Sequence, residues 1–160
     1  MAVGDNGHDF VPKIMIVDSY GNYVRSLSSH LACLGLPVEI LVATDAEATL
    51  AKLQREVADL LIIDTGLRGK MDGFDLCRAL RSGNATQHIP IILLLGGYLS
   101  LERHKGISAG ADLLLHRPVV KEELLKMIHL LLAGKFKHME SPRAVFSAEI
   151  QPARRLRSVG

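Results

Sequence analysis

Four apolar segments of this chain end in residues that can do chemistry. One closes on Asp18-Ser19, a second on Asp64-Thr65-Gly66, a third on Leu95-Gly96-Gly97 and a fourth on His116-Arg117-Pro118. If these segments are strands of an open parallel sheet, ligands and reactions gather at their carboxyl ends. Asp18 and Asp64 brought together there would suit a hard divalent cation, which takes oxygen ligands and keeps several waters. Arg117 would supply positive charge from another strand end. An aspartate, a metal and a fixed cation suit phosphoryl chemistry with the carboxylate as nucleophile. Strand-end aspartates also serve as plain turn and cap residues, so either one alone would say little. Together with Arg117-Pro118 they say more.

The elements that must position these residues follow from the apolar pattern. Residues 13–17 (KIMIV), 38–42 (VEILV), 59–63 (DLLII), 89–95 (IPIILLL) and 112–115 (DLLL) are short aliphatic runs with little polar alternation. Such runs are strands covered on both faces, as in a parallel sheet. Amphipathic stretches lie between them. Tyr23, Leu27, Leu31 and Leu34 recur at helical spacing and stop at Gly35. Ala46, Leu50, Leu53 and Val57 follow Asp45, an N-cap type. Phe74, Cys77 and Leu80 line a third face closed by Ser82-Gly83, and Val120, Leu124, Ile128 and Leu131 a last one ending near Gly134. The stretch 100–109 has poor apolar spacing and makes the weakest helix. Five strands alternating with five helices predict a doubly wound α/β fold with a five-stranded parallel sheet, for which 2-1-3-4-5 is the expected common order. In that order the first and third strands are neighbours, so Asp18 and Asp64 should face each other.

Composition narrows the function classes. A chain of 160 residues with 48% hydrophobic and 22% charged residues reads as one globular domain. No apolar run reaches the roughly 18 residues of a membrane-spanning helix, and the acidic, Gly-rich start is unlike a secretory leader. Cys33 and Cys77 sit in helical patterns and read as buried thiols, which fits a cytoplasmic setting. The seven histidines are scattered without metal-ligand spacing. The segment after Asp18 has one glycine and no phosphate-loop pattern, which leaves a stand-alone phosphatase or nucleotide-binding enzyme as a remote reading. From residue 135 onward six basic residues stand against Glu140 and Glu149, a net +4, so residues 1–134 carry −2 of the chain's total of +2. The expected organisation is a disordered 1–11, a folded body over 12–134 and a basic extension over 135–160, with one short strand near 144–150. Nucleic-acid contact would be confined to that extension.

These motifs, in this order and at these intervals, resemble the receiver domain of bacterial two-component response regulators. The resemblance covers about residues 12–134. It is carried by IMIVD (14–18), DLLIID (59–64), MDGFDLCRALR (71–81), IPIILL (89–94), SAGADLLLHRP (108–118) and the last amphipathic helix. It implies that Asp64 stands where an aspartate accepts a phosphoryl group from a histidine kinase or a phosphotransfer protein. The modification adds about −1.5 to −2 of charge and biases a two-state element on the face of the fourth helix, fifth strand and fifth helix. The resemblance further implies Mg2+ held by Asp18, Asp64 and the Gly66 carbonyl, no enzymatic activity beyond self-phosphorylation at Asp64, and a cis bond before Pro118.

Four positions depart from the family pattern. The acidic pair after the first strand is Asp18-Ser19, so Ser19 offers only a neutral oxygen and the Mg2+ site is weakened. Leu95 replaces the hydroxyl residue that contacts the phosphoryl group. Arg117 replaces the lysine, keeping the charge with a different shape. Leu114 replaces the aromatic switch residue. The loop after Asp64 also carries Arg68 in place of a proline and is one residue longer before Asp72-Gly73. Two readings follow: a phosphorelay receiver with Asp64 as acceptor and a rewired output, or a pseudo-receiver acting as a phosphorylation-independent protein-interaction module. Losing an acidic ligand and a hydroxyl removes two supports of one transition state and favours the second mechanism. Either would dock a downstream protein, or a second copy, through the face of helix four, strand five and helix five, with Leu99 and Leu101 exposed beside it.

Overall fold

The structure, a computed structural model, describes residues 10–97 and 100–133. The expectations for residues 1–9, for Leu99 and for the extension 135–160 with its strand lie outside them. Ten elements alternate: β1 (Lys13–Val17), α1 (Gly21–Leu31), β2 (Glu39–Ala43), α2 (Ala46–Leu53), β3 (Leu60–Asp64), α3 (Gly73–Ser82), β4 (Ile91–Leu95), α4 (Ser100–Ala109), β5 (Leu113–His116) and α5 (Lys121–Leu132). The strands form one parallel sheet in the order β2-β1-β3-β4-β5, the order expected from the sequence.

The aliphatic runs are strands because both of their faces are covered. Successive side chains point to opposite sides of a sheet, and β1 shows the result. Met15 and Val17 join one apolar cluster with Ala46, Phe74, Cys77, Leu80 and Ala109 from α2, α3 and α4. Ile14 and Ile16 join the other with Leu27 and Leu31 from α1 and Leu124, Met127 and Ile128 from α5. Each fully buried Leu or Ile contributes about 1.5–3 kcal/mol relative to leaving it in water.

Three strands lie one residue later than expected, and β4 begins two residues later, at Ile91 rather than Ile89. Asp59 and Asp112 were expected to open strands, but each sits just before one and works through its carboxylate. Asp59 accepts the Lys13 backbone N–H at 2.8 Å. Asp112 accepts the Ile91 N–H at 2.8 Å and the Arg81 guanidinium at 2.6 Å. The second strand likewise begins at Glu39, after Val38. Asp45 caps α2 by accepting the Ala48 N–H, but Val57 lies beyond that helix and is 72% exposed rather than packed. Leu34 is buried past the end of α1. Cys77 is buried as expected; Cys33 is exposed, a correction, because α1 ends at Leu31 and the turn after it faces outward. The poorly patterned α4 is a helix nonetheless.

Candidate functional site

The site is built where β1, β3 and β5 leave the sheet. Val17 pairs with Ile63, so Asp18 and Asp64, one residue on, stand side by side. Alternation turns both toward the face covered by α1 and α5, as it does Arg117, two residues beyond Leu115. Asp18 is 1% and Asp64 7% exposed. Ionised carboxylates this dry need partners. Arg117 supplies one to each: its Nη2 donates to Asp18 Oδ2 at 2.5 Å and its Nε to Asp64 Oδ1 at 3.2 Å. The bond between Arg117 and Pro118 is cis, as the sequence suggested.

Two tyrosines complete the surroundings, and the sequence reading did not single them out for this site. The Arg117 guanidinium lies over the Tyr23 ring at 4.2 Å from its centre. Tyr23 meets Tyr20 edge to face at 6.2 Å, and the Tyr20 ring carries the Arg68 guanidinium at 4.6 Å. Arg68 also donates from Nε and Nη2 to the Tyr20 hydroxyl. The signal in the sequence was two aromatic residues in a chain with few, Tyr20 at the N-cap and Tyr23 in the first turn of α1, two and five positions after Asp18.

The remaining polar atoms are largely committed. Asp18 Oδ1 accepts the Tyr20 N–H at 2.8 Å. Ser19 Oγ donates to the Thr44 carbonyl at 2.7 Å and accepts the Arg68 N–H at 3.0 Å. Gly66 reaches the Asp64 carboxylate through its N–H. Thr65 donates its hydroxyl to the Leu94 carbonyl at 3.1 Å. Burial pushes the Asp64 carboxyl above its usual range and the Asp18 charge adds to this, against the opposing pull of Arg117 and the Gly66 N–H. Among the described residues no buried side-chain oxygen or nitrogen lacks a partner, and no group of three or more His, Cys, Asp or Glu is placed to hold a metal.

That donor set does not fit a hard divalent cation in this arrangement. Such an ion needs several oxygens at about 2.0–2.6 Å, and here the space between the two carboxylates is bridged by a guanidinium.

The two other residues singled out from the sequence lie away from this pair. Leu95 is fully buried in the apolar cluster beneath α2, α3 and α4. Leu114 is partly buried and packs on α4, so closely that a Cβ on Gly106 would lie 2.6 Å from its Cδ2. Glycine at 106 is what admits the leucine.

The family model described as the response regulator receiver domain matches residues 14–129. The chain is 34% identical over 122 residues to the phosphate regulon transcriptional regulatory protein PhoB of Rhizobium meliloti, covering 76% of this chain and 52% of that protein. It is 32% identical over 107 residues to the response regulator PleD of Caulobacter vibrioides, covering 67% of this chain and 23% of that one. The chain thus spans between about a quarter and a half of these relatives' length. Among solved structures it resembles a putative response regulator from Chloroflexus aurantiacus, with a TM-score of 0.73 and 28% identity over 78% of this chain and 99% of that one.

Proposed function

The chain belongs to the response regulator receiver domain family of two-component signalling, and we propose that it acts there as a docking module that needs no phosphoryl transfer to Asp64. Receiver domains are generally signalling modules without enzymatic turnover. They interact with histidine kinases or phosphotransfer proteins and typically bind Mg2+ at an acidic pocket. The observation that carries the proposal is the bridge from Arg117 to both Asp18 and Asp64. It neutralises the two carboxylates from within and leaves the phosphoacceptor position engaged.

Three features support the same reading. Leu95 brings no hydroxyl to the phosphoryl position and is committed to the core. Leu114 takes the switch position and rests on Gly106, with no ring to turn. Leu101 at the start of α4 and Leu130 on α5 are 60% and 39% exposed, offering apolar contact to a downstream protein or a second copy of the chain. In this reading residues 12–134 form the receiver body and 135–160 a basic extension. No helix among the described residues is long and apolar enough to cross a membrane.

A second reading is favoured by the retention of Asp64 itself at the carboxyl end of the central strand, with Gly66 beside it. In it Asp64 is the phosphoacceptor of a phosphorelay. A carboxylate oxygen forms the P–O bond as the P–N bond of a phosphohistidine breaks, and Arg117 turns to the phosphoryl oxygens. Intact-mass measurement separates the two. The protein is incubated with Mg2+ and acetyl phosphate, or with a phosphohistidine donor, beside Asp64→Asn. No adduct on folded protein is the expected result; an adduct present in the wild type and absent from Asp64→Asn would establish the phosphorelay reading instead.

A further inference from the structure

We infer that Arg117 is a resident cation: its guanidinium stands where a divalent metal would sit between Asp18 and Asp64, so that the pocket is complete without a metal and closed to one. This deepens the reading of the acidic pocket given above and rests on it. The first support is geometric. One guanidinium reaches both carboxylates, at 2.5 and 3.2 Å, from a residue 99 positions from one and 53 from the other along the chain. A lysine ammonium is a point charge without the planar fork that spans two acceptors while stacking on a ring. Arg117 does both, because Tyr23 lies under its guanidinium.

The second support is the balance of charge. Asp18 and Asp64 bring two negative charges. Arg117 brings one positive charge between them, and Arg68 a second nearby, its guanidinium on the Tyr20 ring and hydroxyl while its backbone N–H donates to Ser19 Oγ. A third carboxylate, which would leave room for a divalent ion, is absent because position 19 is serine. The Ser19 oxygen is already used as donor and acceptor.

The third support is competition. A metal entering beside Arg117 is repelled by it. A metal displacing Arg117 must break two charge-assisted hydrogen bonds, which are the stronger kind, and a cation–π contact of a largely dry group. Arg117 is tethered, so it pays no entropy of association, whereas the free ion does.

The test uses the full 160-residue chain and the ions Mg2+ and Ca2+ alone, with no phosphoryl donor. Thermal unfolding and the amide NMR signals of Asp18, Asp64 and Gly66 are followed through a millimolar titration. The wild type is expected to show no saturable change. Arg117→Ala is expected to gain a saturable site, seen at those three amides and as a rise in melting temperature of about 5 °C at about ten times the dissociation constant. The rise should vanish in Asp18→Asn/Arg117→Ala. If Arg117→Ala does not fold, Arg117→Gln decides, since a neutral amide brings no cation between the two carboxylates and the same site should open. Saturable binding by the wild type at those amides overturns the inference. So does a folded Arg117 variant that stays silent. The docking proposal fails separately, on a phosphoryl adduct, whatever the ions do.

Discussion

Gly73→Ala is expected to destabilise the protein and to disturb Asp64 from nine residues away. Gly73 opens α3, directly after the cap Asp72, and its N–H donates to the Thr65 carbonyl at 3.0 Å. Its φ is not positive, so backbone conformation does not require glycine there. Packing does. A Cβ on Gly73 would lie 2.2 Å from the Asp64 carbonyl oxygen, 2.6 Å from Thr65 Cα and 2.8 Å from the Asp64 carbonyl carbon. Ordinary carbon–oxygen approach is about 3.3 Å or more, so strand end and helix must part by about 1 Å. The obstructing atoms are backbone and cannot swing aside. Overpacking of this kind costs about 1–3 kcal/mol, against about 0.4–1 kcal/mol recovered from the less flexible unfolded chain. A net loss of about 1–2 kcal/mol follows, or a melting temperature lower by about 3–10 °C. Urea unfolding measures the loss, and the amide signals of Asp64, Thr65 and Arg117 report the displacement. Gly96→Ala is the control: nothing lies within 4 Å of its added Cβ, and it should stay within about 0.5 kcal/mol of the wild type. A Gly73→Ala protein as stable as the wild type, with Asp64 undisturbed, would refute the packing argument.

Two further outcomes follow from the same structure. Arg81 donates to the carbonyls of Gly110, Gln87 and Ile89 and to Asp112, and the side chains of the ion pair are 9% and 12% exposed; Arg81→Met should cost about 3–5 kcal/mol, as when one partner of a buried pair is removed. A loss below about 1 kcal/mol in urea, the range of exposed pairs, would mean that water replaces the guanidinium without penalty. Burial raises the Asp64 carboxyl above 3.8 in the folded state, so the folded protein holds that proton more tightly than the unfolded chain. Its contribution to stability is therefore greatest at low pH and is lost as pH rises from the unfolded value through the folded one. Asp64→Asn should be the more stable protein at neutral pH, with the difference shrinking on acidification toward the unfolded value. Urea midpoints over a pH series check this, and an Asn variant weaker at neutral pH contradicts it.

The strands and most helices were legible in the sequence because their causes are local. An aliphatic run of five residues such as IMIV with its lysine, or LLIID, can satisfy its side chains only when covered on both faces. Asp45 announces α2 by its own carboxylate. Where the cause was not local, the reading weakened. Helix α4 carries few apolar residues, and only Gly106 and Ala109 of it are buried. Glycine and alanine are what a helix presents where another side chain, here Leu114, comes close, and periodicity of large residues cannot register that. Val57 had the right spacing for α2 but lies past its end, where the chain has already turned.

Within the site, residue type and position along the strands placed Asp18, Asp64 and Arg117 at neighbouring carboxyl ends, since strand order and alternation suffice for that. The connection between them was decided in three dimensions. An arginine side chain can reach a phosphate, solvent or either carboxylate, and no local rule chooses among these. The choice was made by the Tyr23 ring on α1, over which the guanidinium lies, and by the dryness of the pocket, in which that guanidinium is the one positively charged group bonded to both carboxylates. The need for glycine at 73 is of the same kind. Sequence determines which groups arrive at the sheet's edge; packing of helices laid down many residues apart determines what each group is able to touch.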